Sequence, residues 1–302
     1  MRLDLLLIRR HPGLSRRKAR EVIEKGQVDV DGHPLLEPGA EVAPEVRITW
    51  DANRPARTRA RPGLPLLYAD DAVLIVDKPA GLLSVPTSPG AREDSVALRM
   101  REYSARLRPR HPYLGVVHRL DRDTSGALAL ALDARAREAL RALFRSHLVD
   151  RRYLALVSGA PKRDEDTIEL PIRDAYVSGR RGVARPEEPS KPARTRYRVR
   201  ERFASAALLE LELFTGRQHQ IRIHLAHIGL PVVGDAVYGR SEGLRAPRQM
   251  LHAAVLAFAH PVSGQPVRAE SPMPADFESV LARLRREDRA RISAPRARPR
   301  SR

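Results

Sequence analysis

A charged turn between two apolar runs, near the middle of the chain, is the sequence feature that most constrains the fold. Two valines at 116–117 precede it, and small and large apolar residues alternate after it over 127–132. The charged turn consists of His118, Arg119, Leu120, Asp121, Arg122, Asp123 and Thr124. The alternation with period two predicts a strand. A polar turn held between two strands is a loop on a rigid scaffold, where reactive side chains usually lie.

The charge balance of the chain indicates an anionic partner. Its 302 residues include 55 Lys plus Arg against 37 Asp plus Glu, which gives a formal net charge of +18. Only five of the basic residues are lysines, so almost all of the excess is guanidinium. Because guanidinium groups pair with phosphate bidentately and stack on bases, an anionic polymer is the natural partner. An arginine-rich coding bias would raise the same count, so composition alone leaves this open.

Composition also limits the kind of site and the cellular location. The chain has no cysteine, which excludes disulfides, thiolate metal sites and cysteine nucleophiles. No apolar run approaches the roughly 20 residues of a membrane span, and the first residues lack the basic-then-apolar layout of a secretory signal. We therefore expect a soluble, cytoplasmic protein that does not act at a membrane.

The first 50 residues are predicted to form a small domain of two helices followed by short strands. Leucines at positions 3, 6 and 7 predict the first helix, and Ser15 and Gly26 bracket the second. Arg16, Arg17 and Arg20 lie on the polar face of that second helix. The order of these motifs resembles the small RNA-binding domain named after ribosomal protein S-four. The resemblance implies that the three arginines bind RNA backbone; a merely solvated helix face is the alternative.

The remaining chain divides into three predicted segments. Residues 51–65 lack apolar periodicity and are predicted to be a linker. Residues 66–282 contain the charged turn and the long apolar runs of a main domain. Residues 283–302 are predicted to be a basic, disordered tail, because the chain from Arg289 onward is arginine-rich and has no acidic residue.

Two further stretches of the main domain carry candidate site residues. Tyr153 follows two arginines in a predicted strand over 151–157, and Arg222 lies near the start of a predicted helix, beside its apolar side. His219, His224 and His227 invite a metal interpretation because histidines three residues apart can chelate. No carboxylate or cysteine completes a ligand set at suitable local spacing, so we predict no metal site.

These motifs together resemble one enzyme family, the RluA-type RNA pseudouridine synthases, which act on ribosomal large-subunit RNA. The resemblance covers about residues 1–280 and rests on His118-Arg119-Leu120-Asp121, Lys78-Pro79-Ala80-Gly81, Tyr153, the stretch around Arg222 and Leu251-His252-Ala253. It implies an α+β fold: a mixed, largely antiparallel β-sheet domain with flanking helices and a central cleft, plus a small α/β RNA-binding domain. It also implies an RNA partner, no cofactor and a monomer.

The resemblance assigns roles to five residues of the main domain. Asp121 acts at C1′ of the target uridine, as nucleophile or as general base. Arg119 enters the RNA where the base has left, and His118 lies beside it at the substrate. Tyr153 offers a flat face to the uracil and a hydroxyl for proton transfer. Arg222 pairs with Asp121, because a carboxylate in a water-poor pocket needs a cation to stay ionised. Lys78 belongs to a motif with a structural role.

Two other functions remain open at this point. The first is a non-catalytic RNA-binding factor for ribosome assembly on the same fold. The second is a metal-dependent phosphodiesterase that uses Asp121, Asp123 and His118, although a second ligand cluster is missing. Two acids also suggest a glycosidase pair, but a spacing of two residues on a turn does not set the span that such a pair needs. We therefore interpret Asp123 as a side chain that stabilises the turn.

Overall fold

The computed structural model describes residues 1–35, 37–54, 63–88, 93–107, 112–177, 179–239 and 244–293. Its helices are α1 (Leu3–Arg10), α2 (Arg16–Glu24), α3 (Val96–Leu107), α4 (Ala134–Arg145), α5 (Gln220–His227) and α6 (Ala275–Ser293). Its strands are β1 (Val28–Val30), β2 (His33–Pro34), β3 (Ile48–Trp50), β4 (Leu66–Ala69), β5 (Val73–Lys78), β6 (Gly115–Val116), β7 (Ser125–Ala131), β8 (Asp150–Ser158), β9 (Glu165–Glu169), β10 (Ile172–Arg173), β11 (Ser190–Lys191), β12 (Arg194–Arg202), β13 (Ala206–Leu213), β14 (Leu251–Ala259) and β15 (Pro266–Glu270). Across the described ranges, no helix is both long and apolar enough to cross a membrane.

The amino-terminal unit, Met1–Gly63, packs two helices on a three-stranded sheet of order β2-β1-β3. The two helices bury the apolar positions that the sequence indicates. The buried core of this unit consists of Leu3, Leu7, Ala19, Val22, Ile23 and Val28. Ser15 caps α2 as predicted, because its side chain accepts a hydrogen bond from the Lys18 amide at 3.2 Å. The polar face of α2 therefore points away from this core.

The predicted linker begins later than position 51. Arg54 forms an ion pair with Asp29 of β1 at 2.6 Å, and its backbone carbonyl accepts a hydrogen bond from Gln27. These contacts tie residues 51–54 to the amino-terminal unit, and composition alone gave no sign of them. The middle of the predicted linker, residues 55–62, lies outside the described residues.

The carboxyl-terminal unit, Leu64–Arg302, is built on one long sheet. Its strands follow the order β4-β5-β7-β14-β8-β13-β12-β9, with β15 beside β14 and β6 beside β7. The pairing is antiparallel except between β7 and β14, which run parallel. Helices flank this sheet, so the predicted α+β class with a mainly antiparallel sheet is confirmed.

Strand β7, which follows the charged turn, shows how the sequence sets both faces of the sheet. Its leucines, Leu128 and Leu130, pack into one core cluster, while Ala127, Ala129 and Ala131 pack into the cluster on the other face. At the start of the strand, Gly126 has φ +116° and pairs with Ala253 of β14. A Cβ at Gly126 would lie 2.2 Å from the Ala253 carbonyl oxygen. Only glycine allows the two parallel strands to approach here.

The prediction of a disordered tail from residue 283 was wrong for its first part. Helix α6 continues to Ser293, and Leu284 is buried against the apolar cluster of the carboxyl-terminal unit. Arg285 also pairs with Glu201 at 2.6 Å. Apolar residues recur at 277, 280, 281 and 284 with helical spacing, and the arginine-rich composition obscured that pattern. Residues 294–302 lie outside the described residues.

Candidate active site

A cavity of about 520 Å³ opens in the carboxyl-terminal unit beside the charged turn. All five main-domain residues that the sequence singles out line it: His118, Arg119, Asp121, Tyr153 and Arg222. They come from the turn before β7, from β8 and from α5. The fold thus brings together residues that are as much as 104 positions apart, from His118 to Arg222.

The arginines predicted to bind RNA in the amino-terminal unit lie elsewhere in the chain. Arg16, Arg17 and Arg20 are all exposed on α2 and line one shallow groove with Glu21 and Glu24. Arg16 also approaches the buried Asp4 at 3.7 Å. Arg17 and Arg20 therefore present the freer positive charge on this helix.

Arg222 joins two carboxylates at the cavity. Its Nη1 donates to Asp121 Oδ2 at 2.9 Å, and its Nε and Nη2 donate to the two oxygens of Asp235 at 2.7 and 2.9 Å. The Asp235 side chain is fully buried, whereas that of Asp121 is 24% exposed. One arginine thus holds a buried acid with one edge and directs a second acid toward the cavity with the other.

Electrostatics favours the charged state of this group. Burial alone would lower the pKa of Arg222, but the ion pairs with Asp235 and Asp121 outweigh it and raise that pKa. Burial likewise works against the Asp235 carboxylate, yet Arg222 and the backbone amides of Val237 and Tyr238 keep the pKa of Asp235 below its ordinary value. The sequence by itself assigned no role to Asp235.

Tyr153 and Arg119 occupy different depths of the cavity. Tyr153 lies on β8 and is 8% exposed, and burial raises the pKa of its hydroxyl to about 12. Its hydroxyl therefore stays protonated at neutral pH. Arg119 is exposed on the charged turn. The cavity thus presents a planar aromatic ring at depth and a guanidinium at the surface.

His219 lies beside the acid and contacts Tyr238, and the sequence by itself assigned neither residue to the acid. His219 Nε2 lies 3.8 Å from Asp121 Oδ1, and its Nδ1 lies 3.0 Å from the Tyr238 hydroxyl. The Arg222 guanidinium lies 5.1 Å from the centre of the Tyr238 ring. His219 adopts a left-handed backbone with φ +57° just before α5, a conformation that costs energy outside glycine. In this conformation the His219 ring lies beside the acid.

Lys78 contacts the backbone of the charged turn through a hydrogen bond to Arg122. The side chain is fully buried, and its Nζ donates to the carbonyls of Pro79, Leu82 and Arg122 at 3.0, 2.7 and 2.8 Å. Burial lowers the pKa of Lys78 to about 7. All three ammonium protons are thus used on backbone oxygens, one of them in the charged turn. These contacts favour the predicted structural role.

Two further side chains hold the charged turn by its backbone. Ser84 Oγ donates to the Leu120 carbonyl at 2.7 Å and accepts from the Leu120 amide at 3.0 Å. Arg248 donates to the Asp123 carbonyl at 3.1 Å. The Asp123 side chain is exposed and, among the described residues, makes no hydrogen bond of its own. Its predicted role as a stabilising side chain was wrong, since partners elsewhere in the chain supply that support.

His118 is neutral in the folded protein. Its Nε2 accepts a hydrogen bond from the Ala129 amide at 2.9 Å, so that nitrogen carries no proton. The ring stacks on Phe144 with centroids 4.5 Å apart. Burial, with a smaller contribution from the positive charge of Arg151, lowers the pKa of His118 to about 3. His118 therefore lines the cavity as an uncharged ring that a backbone hydrogen bond holds in place.

Replacing His118 should change how stability depends on pH. The folded-state pKa of about 3 lies below the ordinary value of 6.5, so between these values the unfolded chain binds a proton that the folded chain does not. Wild-type stability therefore falls as pH falls from 6.5 toward 3. Between roughly pH 7.5 and 5, the free energy of unfolding in urea should fall by about 2 kcal/mol more in wild type than in His118→Gln, in which other buried histidines with lowered pKa values, such as His224 and His252, still contribute. His227→Gln, an exposed control, should retain the wild-type loss; equal pH dependence in all three proteins would contradict the assignment.

The histidines considered for a metal site are dispersed in the fold. His219 faces Asp121, whereas both ring nitrogens of His224 are used, on the Thr195 hydroxyl and the Leu170 carbonyl. His227 is exposed. Over the ranges that the structure covers, no three His, Cys, Asp or Glu side chains are grouped to hold a metal ion.

Comparison with known protein families matches both units. A family model described as RNA pseudouridylate synthase matches residues 72–227, and an S4 domain model matches residues 1–48. The ribosomal large subunit pseudouridine synthase D of Xanthomonas campestris pv. campestris is 38% identical. The alignment, 313 positions long with its gaps, covers 97% of this chain and 91% of the relative. The protein of the same name from Pseudomonas aeruginosa is 35% identical and covers 96% and 93% of the two chains.

Solved structures share the fold over most of this chain. Human RNA pseudouridylate synthase domain containing 1 superposes with a TM-score of 0.58 at 27% identity, over 79% of this chain and all of that one. Human RNA pseudouridylate synthase domain containing 4 superposes with a TM-score of 0.62 at 24% identity, over 74% and 93% of the two chains.

Proposed function

The chain belongs to the RNA pseudouridylate synthase family, and on that basis we propose that it isomerises specific uridines to pseudouridine in large-subunit ribosomal RNA, with Asp121 as the catalytic carboxylate. The observation that carries this proposal is the Asp121 carboxylate held by Arg222 at 2.9 Å beside a cavity of about 520 Å³. Two full-length relatives named as ribosomal large subunit synthases support the choice of RNA.

The reaction exchanges one glycosidic bond for another. The bond between uracil N1 and ribose C1′ breaks with its electron pair on the base, the base turns, and C5 bonds to C1′. The proton at C5 is then lost and N1 gains one. No electron acceptor or energy source is consumed, so the protein has to supply orientation, a carboxylate and protection from water.

Asp121 is the group that meets the sugar in this proposal. It either attacks C1′ or removes a sugar proton, and both routes require an ionised, oriented oxygen. Arg222 sets that orientation because Asp235 fixes the other edge of its guanidinium. Tyr153 supplies the surface on which the uracil rests.

A uridine stacked in RNA cannot reach this cavity, so the nucleotide must be extruded. Arg119, exposed two residues before Asp121, fills the gap that the base leaves. Its planar guanidinium can stack and donate hydrogen bonds in place of a base. Arg17 and Arg20 on α2, with Arg16, bind phosphates of the same RNA through the amino-terminal unit.

Tritium release from RNA labelled at uridine C5 tests the reaction directly. We expect the wild-type protein to release tritium from unmodified large-subunit ribosomal RNA at the same rate with and without EDTA. The physical reason is that the C5 proton leaves during isomerisation and that the proposed chemistry uses only protein groups.

Two results would overturn this assignment in different ways. RNA binding without tritium release would favour a ribosome-assembly factor on an inactive fold. Cleavage of the RNA that EDTA abolishes would favour a metal-dependent phosphodiesterase. Mapping pseudouridines in ribosomal RNA from cells with and without the protein then identifies the target uridine.

A further inference from the structure

Arg151 is a buried cation in the cavity wall that the mechanism above does not use. It lies on β8, and only 7% of it is exposed. Its Nη2 donates to the Leu213 carbonyl at 3.0 Å, while its Nε has no hydrogen-bond partner. No carboxylate among the described residues forms an ion pair with it. Arg222, in the same cavity, pairs with two.

A charge in this situation is costly to the fold. A buried guanidinium normally needs an anion and a full set of acceptors, and Arg151 has one carbonyl. Burial accordingly lowers the pKa of Arg151. Such a group is retained where it serves a ligand that arrives later, because strained or unsatisfied groups gather at functional sites.

The surroundings of Arg151 hold it in place without neutralising it. The Phe144 ring centre lies 5.8 Å from its guanidinium carbon, and neutral His118 stacks on the same ring. On the other side, a Cβ at Gly216 would lie 2.6 Å from Nη1. A glycine at 216 therefore leaves room for the guanidinium. The result is a preformed donor site lined by aromatic rings and backbone.

The position of Arg151 relates it to the base rather than to the RNA backbone. It precedes Tyr153 by two residues on one strand, so both side chains leave the same face. The backbone has another partner at the cavity, since Arg145 lines it and is exposed. Because Arg151 and Tyr153 line the cavity from one face of β8, a uracil on Tyr153 shares that wall with the buried guanidinium.

We propose that Arg151 donates hydrogen bonds to an oxygen of the extruded uracil and compensates the negative charge that the base acquires as its glycosidic bond breaks. This inference rests on the proposed function. Cleavage of N1–C1′ leaves an electron pair that spreads over N1, O2 and O4 of the uracil. A fixed cation without a paired carboxylate stabilises that charge more in the transition state than in the ground state, which is what lowers a barrier.

The test compares uridine with 5-fluorouridine at the target position. Fluorine makes the uracil anion more stable, so the reaction of 5-fluorouridine depends less on an external cation. In single-turnover reactions, Arg151→Met should slow uridine isomerisation by about 10²-fold and slow the reaction of 5-fluorouridine roughly tenfold less. In 5-fluorouridine, C5 keeps its fluorine when it bonds to C1′, so no proton leaves C5; the N1=C6 imine that results takes up water, and mass spectrometry follows the gain of one water. Arg151→Lys keeps the positive charge but lacks the paired N–H donors of a guanidinium. Its single-turnover rate should lie between those of wild type and Arg151→Met.

Three controls separate this role from others. RNA affinity and its salt dependence should match wild type in Arg151→Met, whereas the exposed-arginine variant Arg145→Met should weaken both. The melting temperature of Arg151→Met should equal or exceed that of wild type, because the variant removes a buried unpaired charge. Wild type, measured in parallel, reports on the proposed function independently of Arg151.

Other patterns would overturn the inference. Equal slowing of both substrates would make Arg151 an orienting group only. Weakened RNA binding with an unchanged rate would assign it to a phosphate. A lowered melting temperature with equal losses on both substrates, not restored in Arg151→Lys, would make it structural.

Discussion

Replacing Asp121 with asparagine will abolish tritium release while the protein remains folded and binds RNA. In wild type, Arg222 Nη1 lies 2.9 Å from the Asp121 carboxylate. The asparagine keeps the size of the side chain and an oxygen that can accept this hydrogen bond, but it lacks the negative charge that either proposed route requires. We expect the single-turnover rate to fall on the order of 10⁴-fold, the upper range for a positioned acid–base group. RNA affinity should be retained, because the exposed arginines are unchanged.

Asp123→Asn is the matched control for this prediction. It changes an exposed carboxylate two residues away on the same turn, whose backbone carbonyl rather than side chain makes the structural contact. Its rate should stay near that of wild type. Activity that survives Asp121→Asn, or is lost equally in Asp123→Asn, would refute the assignment of the catalytic carboxylate.

Replacing Asp235 with asparagine will destabilise the fold, in contrast to the same change at Asp121. Asp235 is fully buried and receives two hydrogen bonds from Arg222 and two from backbone amides. Removing one partner of a buried ion pair typically costs about 3–5 kcal/mol. For Asp121→Asn, at a partly exposed site, we expect a loss of less than about 1 kcal/mol. Urea unfolding followed by circular dichroism measures both.

The Asp235 variant should also lose activity at a temperature where it is still folded. Arg222 would keep its bond to Asp121 but lose the partner that fixes its orientation, and misplacement of a catalytic group by about 1 Å can cost about 10²-fold in rate. The comparison distinguishes the proposed roles of the two acids that pair with Arg222. Asp235 is expected to support stability and the orientation of Arg222, and Asp121 is expected to take part in the chemistry. Equal stability losses in the two variants would contradict this division.

Local patterns were sufficient for much of the secondary structure around the site. The alternation after the charged turn predicted β7 with leucines on one face and alanines on the other, and both faces are found in separate clusters. Ser15 caps α2 at the position that the sequence predicted. The helix α6 was missed in part because arginine-rich composition outweighed a helical apolar pattern that was present.

A sequence signal for Arg151 also existed. Two arginines precede Tyr153, and with Tyr153 facing the cavity, strand alternation directs Arg151 inward and Arg152 outward. The structure has Arg151 buried and Arg152 exposed. No comparable signal pointed to Asp235 as the partner of Arg222, because the two lie on different elements thirteen residues apart.

The sequence by itself determined the composition of the site: a family motif with one acid in a charged turn, an inward arginine at the start of a helix, and a tyrosine on a strand. Only the tertiary structure decided which acid is buried, which arginine lacks an anion and which carbonyls hold the turn. The physical reason is that motifs and periodicity follow from local geometry, whereas ion-pair partners and burial depend on which distant strands lie side by side in the sheet. Charge neutralisation in this cavity is therefore a property of the fold, and no single stretch of the chain encodes it.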